Sequence, residues 1–166
     1  MKKTLIFASV VLLVVLNGFD IEPLYYSQYK PIFMQRSELE KSIKIEPPRK
    51  IQNPGKIYLK DNLIFISEQY CGIHVIDNTN PENPVKKAFI QIDGCVDLAM
   101  KDQILYADNA VDLVSLRLKA DLSGIEVTSR VKNVFPELRA PDGFGLSGKE
   151  NAARPQDAIL VKWVKR

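Results

Sequence analysis

The sequence is poor in the residues that build most catalytic and metal sites. Its 166 residues include one histidine, two cysteines and one tryptophan. There is no Cys-x-x-Cys pair, and one histidine with two distant thiols does not make a zinc site. A Gly-x-Ser-x-Gly turn, a P-loop and a Gly-x-Gly-x-x-Gly run that follows a strand and opens a helix are also missing. These absences predict that the chain is not an enzyme of a familiar class.

A strong charge of one sign is missing as well. Lys and Arg number 23 against 20 Asp and Glu, which gives a net charge of +3. The densest basic stretch is interrupted by acidic residues: Lys41, Lys44, Arg49 and Lys50 alternate with Glu38, Glu40 and Glu46. A solvated face explains this stretch better than a nucleic-acid site, so no nucleic-acid partner is expected.

The one long apolar run lies at the N-terminus. Lys2 and Lys3 precede an apolar stretch at 5–16, which is typical of a bacterial secretory signal and shorter than the roughly 20 residues of a comfortable membrane span. Residues 1–18 are therefore predicted to be a signal peptide or an uncleaved N-terminal anchor helix. Phe19 stands where lipid attachment would need cysteine. The protein is expected in the periplasm, on the outer surface or anchored, with membrane contact only through this segment.

A short internal repeat dominates the rest of the chain. Residues 59–67 match 100–108 at an offset of 41, and 72–76 match 112–116 at an offset of 40. A period near 40 made of short apolar runs and polar turns is the signature of a β-propeller blade. The repeat predicts an all-β fold of two propeller-like, four-stranded antiparallel blades in a domain at 55–135.

The alternation of apolar and polar residues sets the predicted strands. The first blade is expected at 56–60, 63–67, 72–77 and 85–92, and the second at 95–101, 103–107, 111–117 and 125–134. Residues 63–66 are a near-continuous apolar run, which predicts a strand buried on both faces.

The flanking segments are predicted to support this domain. Residues 19–54 are interpreted as a linker with one short helix, begun by Ser37 as N-cap with Glu40 completing a capping box. Its apolar residues are expected to cover apolar surface or a sheet edge. Residues 136–166 are interpreted as a C-terminal loop and a last strand at 158–164, which would bury Trp163.

The repeat resembles the LVIVD-repeat β-propeller proteins of bacteria. The residues that carry the resemblance lie at 53–58, 72–77, 94–97, 106–109 and 111–116. Members of that family often begin with a lipoprotein signal, from which Phe19 departs. The resemblance implies a propeller fold and a cell-surface setting, and it carries over no catalytic residues.

Two blades are too few to close a ring, since propellers usually have about four to eight. Copies of the chain could associate as a homo-oligomer, the flanking segments could cover the open edges, or the chain could descend from a longer propeller. The second alternative is preferred, because both flanks are apolar and open edges are a hazard during export.

The up-and-down order places three connections at one end of the blades. They are the loops at 68–70, 93–94 and 108–110, and this end is acidic. Its candidate ligand-binding residues are Glu68, Tyr70, Asp93, Asp97, Asp108, Asn109 and Asp112. Clustered carboxylates and amide oxygens suit Ca²⁺ or a ligand rich in hydroxyl or amine groups. The favoured alternative is that Asp and Asn end strands by bonding to turn backbone.

Three smaller features are interpreted as structural. The stretch 77–80 resembles a calcium loop but lacks the glycine and the distant glutamate of one, so a plain turn is expected. His74 is expected to be half-buried and without a catalytic role. Cys71 and Cys95 have different places in the repeat and are expected to remain separate thiols.

The favoured function is an exported cell-envelope module that binds or scaffolds a protein or glycan partner without catalysis. One alternative is a metal-dependent, hydrolase-like activity that uses Asp97, Asp108 and Asp112. A further alternative is a structural remnant of a larger propeller without a ligand.

Overall fold

The computed structural model describes residues 26–166, so the predicted signal or anchor at 1–18 lies outside the described residues. Within the described part, eleven strands pair antiparallel in three open sheets. No helix of residues 26–166 has the length and apolar character to cross a membrane. The all-β prediction is therefore confirmed for this part of the chain.

The elements follow the chain in order. The strands are β1 (Tyr29–Gln35), β2 (Lys44–Glu46), β3 (Pro54–Lys60), β4 (Leu63–Glu68), β5 (Gly72–Asp77), β6 (Val85–Gln91), β7 (Leu98–Lys101), β8 (Ile104–Asn109), β9 (Asp112–Leu118), β10 (Ile125–Val131) and β11 (Ala158–Lys165). The helices are α1 (Arg36–Leu39) and α2 (Gly148–Ala152).

Sheet one has the strand order β2-β6-β5-β4-β3. Its four consecutive strands β3–β6 lie where the alternation predicts them. The fifth strand, β2, comes from the segment interpreted as a linker and pairs along β6, from Lys44 opposite Gln91 to Glu46 opposite Phe89. The expectation that this segment covers a sheet edge is confirmed at β6.

Sheet two has the strand order β10-β9-β8-β7. Its four strands are again the predicted ones, except that β10 ends at Val131 instead of 134 and β7 begins at Leu98 instead of 95. The early end of β10 coincides with a turn at 132–133. The late start of β7 has a local reason, since the Val96 and Asp97 amides donate to the Asp108 carboxylate instead of to a neighbouring strand.

The same turns recur in both sheets, as the repeat predicts. Asp61 and Asp102, 41 residues apart, have φ of 53° and 55°. Tyr70 and Ala110, 40 residues apart, have φ of 64° and 58°. These left-handed residues each reverse the chain between two antiparallel strands.

The main core lies between sheets one and two. Sheet one contributes Phe65 and Val75, and sheet two contributes Leu105, Val114 and others from one face. The opposite face of sheet one is less covered. Its residues Ile64 and Ile66 stay partly exposed, so the prediction that strand 63–66 is buried on both faces is wrong.

The third sheet pairs β1 with β11, from Tyr29 opposite Lys165 to Gln35 opposite Ala158. We call this pair the cap sheet. The last strand and the burial of Trp163 are as predicted. Strand β1 was not predicted, since residues 19–54 were interpreted as a linker.

The helix ends also differ from the prediction. Helix α1 begins after Gln35, whose side chain makes no cap bond, so Ser37 is inside the helix and is not its N-cap. A capping box forms instead at α2, between Ser147 and Glu150. Helix α2 lies in the stretch interpreted as loop.

Candidate binding surface

The three loops predicted to share one end of the sheets do meet there, and we call this region the loop end. The Tyr70 amide donates to the Cys95 carbonyl at 2.7 Å, and the Gly94 amide donates to the Tyr70 carbonyl at 3.0 Å. The Asn109 side-chain amide donates to the Asp93 carbonyl at 2.6 Å. The loop connections of both sheets therefore form one bonded unit.

The cap sheet packs directly on the loop end. Tyr70 is buried in a cluster with Leu160 and Trp163, and its hydroxyl donates to the Arg139 carbonyl at 3.0 Å. Burial raises the pKa of Tyr70. Ala110, at the second loop, lies in another cluster with the cap residue Val161. The cap thus buries Tyr70 and Ala110 at the end that the sequence suggested as a ligand site, and a pocket of about 270 Å³ remains beside Glu68 and Tyr70.

Glu68 is buried and holds a structural contact. Its Oε2 lies 2.9 Å from Nε2 of His74, which is fully buried and not half-buried. The amides of Gln52 and Asn53 also donate to its carboxylate, at 3.1 and 2.6 Å. Burial alone would raise the pKa of Glu68, but these hydrogen bonds outweigh it and the pKa is lowered. Glu68 therefore attaches the chain before β3 to sheet one.

Asp112 is fully buried between two arginines. Its Oδ2 accepts from Arg36 at 2.6 Å and from Arg130 at 2.8 Å, and its Oδ1 accepts from the Asn133 amide at 3.1 Å. Burial alone would raise the pKa of Asp112, but these donors lower it. Because Arg36 follows β1 directly, Asp112 joins sheet two to the cap sheet. Neighbouring Asn109 is also buried and accepts from Arg130.

The remaining three predicted residues are more accessible. Asp108 accepts the amides of Val96 and Asp97 at 3.0 and 2.8 Å, and burial raises its pKa despite these bonds. Asp97 is exposed and pairs with Lys56 at 2.8 Å. Asp93 is half-buried and accepts from the Gln91 side chain.

The carboxylates thus accept hydrogen bonds from backbone amides and from side chains of the same chain. Asp108, which accepts two backbone amides beside its strand, fits the strand-ending role that the sequence favoured. Among residues 26–166, no three His, Cys, Asp or Glu side chains are arranged to hold a metal ion. The Asp77 stretch is a plain turn, in which the Thr79 amide donates to Asp77. Cys71 and Cys95 are separate thiols, as expected.

A different surface is open. A cleft of about 460 Å³ lies on the face of sheet two that points away from sheet one. Its floor carries Ala99 of β7 and Tyr106 of β8, and segment 135–138 forms its far wall. Val96 and Phe135 at its edge keep 39% and 38% of their surface exposed. Concave apolar surface of this kind is characteristic of binding sites.

The far wall of the cleft is held in place by the loop end and the cap. The Phe135 amide donates to the Val111 carbonyl at 3.0 Å. The Trp163 indole donates to the Leu138 carbonyl at 3.1 Å. Among the charged residues at the rim, Lys56 pairs with Asp97 and Glu137 pairs with Arg154, while the Asp108 carboxylate accepts backbone amides. The cleft therefore presents a pre-formed apolar floor inside a rim whose charged side chains are bonded within the chain.

Of the candidate site residues selected from the sequence, only two line this cleft. Asp97 and Asp108 line it, but they were selected as carboxylates at the loop end. The apolar pair Val134-Phe135 was the available signal, because it follows the turn at Asn133 within a stretch that is otherwise polar.

Comparison with known proteins adds no family to this description, since no family model, curated protein or solved structure matches the chain.

Proposed function

We propose that this chain is a non-enzymatic binding module of the bacterial cell envelope, related to the LVIVD-repeat propeller proteins. In this proposal sheets one and two are two consecutive propeller-like blades, and the apolar cleft on sheet two receives a protein partner. Export through residues 1–18 is part of the same proposal.

The blade assignment is supported by the repeat at the level of individual residues. Both sheets run up and down through four consecutive strands, and the left-handed turns recur at offsets of 41 and 40. The two sheets pack face to face through one apolar core, as adjacent blades of a propeller do.

The cleft is the observation that carries the functional proposal. Ala99 on its floor is exposed, and the lining near segment 135–138 is apolar. An apolar floor whose rim charges are already bonded within the chain favours the apolar side chains of a protein segment over a glycan. The carboxylates of the loop end are already bonded, so they do not favour the metal-dependent alternative.

A displayed library of random peptides, selected on the immobilised protein, tests the proposal. The variant Ala99→Arg places a long charged side chain on the cleft floor, and Ala152→Arg places the same side chain on exposed α2 as a matched control. Selected peptides should bind the wild type and Ala152→Arg equally, and should bind Ala99→Arg at least about tenfold more weakly, a loss of about 1.4 kcal/mol.

The proposal is overturned if no peptide is enriched, or if the enriched peptides bind both variants equally. Calorimetry with Ca²⁺, Mg²⁺ and Zn²⁺ addresses the alternative activity. Stoichiometric metal binding that Asp108→Ala abolishes would favour the metal-dependent alternative instead.

A further inference from the structure

The face of sheet one that points away from sheet two is open along β3 and β4, whereas His74, Ile76 and Phe89 farther across the same face are buried. Strand β3 pairs only with β4 among the described strands. Its residues Ile57 and Leu59 lie on the side that points away from sheet two, and they keep 62% and 66% of their surface exposed. Ile64 and Ile66 continue the same face on β4 and are partly exposed. Contiguous exposed apolar residues of this kind mark an interaction surface.

The repeat indicates which kind of surface this face is suited to contact. The junction between sheets one and two uses one face of sheet two. The corresponding residues of sheet one lie on its outer face, where those of β3 and β4 are exposed or partly exposed and those of β5 are already buried. The pairs are Leu98 with Ile57, Met100 with Leu59, Leu105 with Ile64, Ala107 with Ile66, Val114 with His74 and Leu116 with Ile76. In sheet two all of these side chains contribute to the core.

The surface of sheet one that packs against these sheet-two residues also has an equivalent surface in sheet two. Sheet one meets sheet two with Tyr58, Phe65 and Val75. Their equivalents are Ala99, Tyr106 and Ser115, which lie on the open face of sheet two. Ala99 and Tyr106 line the cleft. One chain thus carries residues equivalent to both halves of a second sheet-to-sheet junction, and within residues 26–166 the β3–β4 part of one half and Ala99 of the other remain exposed or partly exposed.

We propose that two copies of this chain associate head to tail, with the Ile57–Leu59 face of each copy seated on the open face of sheet two of the other. A two-fold axis satisfies both junctions at once, because each copy then gives one face and receives the other. The inference rests on the proposed function in that it names a second copy as an occupant of the cleft.

The internal junction also indicates which residues meet across the new one. The Tyr58 hydroxyl donates to the Met100 carbonyl at 3.0 Å. Since Ala99 corresponds to Tyr58 and Leu59 corresponds to Met100, Leu59 of one copy should lie beside Ala99 of the other. Leu59→Arg in one copy or Ala99→Arg in the other should therefore weaken the same contact. The native side chains at both positions are exposed, so either replacement leaves the core undisturbed.

Sedimentation equilibrium of the full chain over a range of concentrations is the first test. The mass should rise toward twice the monomer mass, and Leu59→Arg and Ala99→Arg should each raise the dissociation constant at least tenfold relative to Ala152→Arg. An equimolar mixture of Leu59→Arg and Ala99→Arg should regain a heterodimer, because one undisturbed junction remains between the two variants. A monomer at all concentrations overturns the inference, as does association that neither substitution weakens, which would assign the contact to another surface such as residues 1–25.

Cross-linking gives an answer that does not depend on affinity. In a Cys71→Ser background, which removes the accessible native thiol, differently tagged chains carrying Leu59→Cys and Ala99→Cys should join through a short bismaleimide, and the pair Leu59→Cys with Ala152→Cys should not. Joining of two Leu59→Cys chains instead would indicate that β3 pairs with itself and would overturn the head-to-tail arrangement. The proposed function is tested separately, since Leu59→Arg leaves the cleft intact and should still bind the selected peptides.

Discussion

Replacing Asp112 with asparagine should detach the cap sheet from sheet two. The carboxylate is fully buried and bonds to Arg36, Arg130 and the Asn133 amide. Asparagine keeps one oxygen acceptor but removes the charge, which leaves two arginines facing a neutral group. Removing one partner of a buried ion pair typically costs about 3–5 kcal/mol. Because asparagine still accepts one hydrogen bond, we expect the free energy of unfolding to fall by about 3 kcal/mol.

The same substitution should change how stability depends on pH. The pKa of Asp112 is lowered in the folded protein from an ordinary value of 3.8. Its contribution is therefore complete above the unfolded pKa and is lost as pH falls through the lower folded pKa. The difference in stability between wild type and Asp112→Asn should be constant from neutral pH to about pH 5 and shrink below about pH 4.

Urea unfolding followed by tryptophan fluorescence measures both effects, because Trp163 is buried in the cap sheet against the loop end. Asp102→Asn is the matched control, since Asp102 is an exposed turn residue whose left-handed backbone asparagine accepts readily. The reasoning is refuted if Asp112→Asn costs less than about 1 kcal/mol, the net value of one ordinary hydrogen bond. A difference that grows toward acid pH would contradict the sign of the pKa argument.

Three further predictions follow from single contacts. Glu68→Gln should lower the free energy of unfolding by about 2 kcal/mol, because it removes the buried charge that faces His74. A thermal melt should therefore show a lower Tm, and an unchanged Tm would argue against a stabilising role for Glu68. Gly72→Ala should lower the free energy of unfolding by at least about 3 kcal/mol, because φ is 141° and a Cβ would lie 2.0 Å from the Ile90 carbonyl oxygen. Circular dichroism during urea unfolding measures this loss, and a variant as stable as the wild type would contradict the prediction. Maleimide should label Cys71 in the folded protein and reach Cys95 only after unfolding, because burial raises the pKa of the Cys95 thiol; mass spectrometry identifies the labelled residue, and rapid labelling of Cys95 would show that this region opens.

The strands of sheets one and two could be predicted because their signals are local. Each strand is a short alternating run bounded by a turn residue, and the turns at Asp61 and Asp102 are the same turn used twice. The contact between the loops followed from up-and-down order alone. Strand β1 could not be found this way, because its strand partner among the described residues is β11, at the other end of the sequence.

The role of the loop end was harder to predict for the same reason. Glu68 and Asp112 have the residue types of a cation site, and nothing near them in the sequence indicates burial. The partners that bury and bond Asp112 include Arg36, which lies before the repeat, and Arg130, which lies near its end. Only the tertiary fold shows that the carboxylates stabilise the structure and that the cleft is the open surface.

The most direct test of the central claim compares the binding of one selected peptide to two variants. Ala99→Arg fills the floor of the cleft, and Asp93→Asn removes a carboxylate of the acidic end that does not line the cleft, while keeping an acceptor for the Gln91 side chain. We predict that Ala99→Arg weakens peptide binding at least about tenfold and that Asp93→Asn leaves it within about twofold. Binding that survives Ala99→Arg and is lost in Asp93→Asn would contradict the account and return the site to the carboxylates.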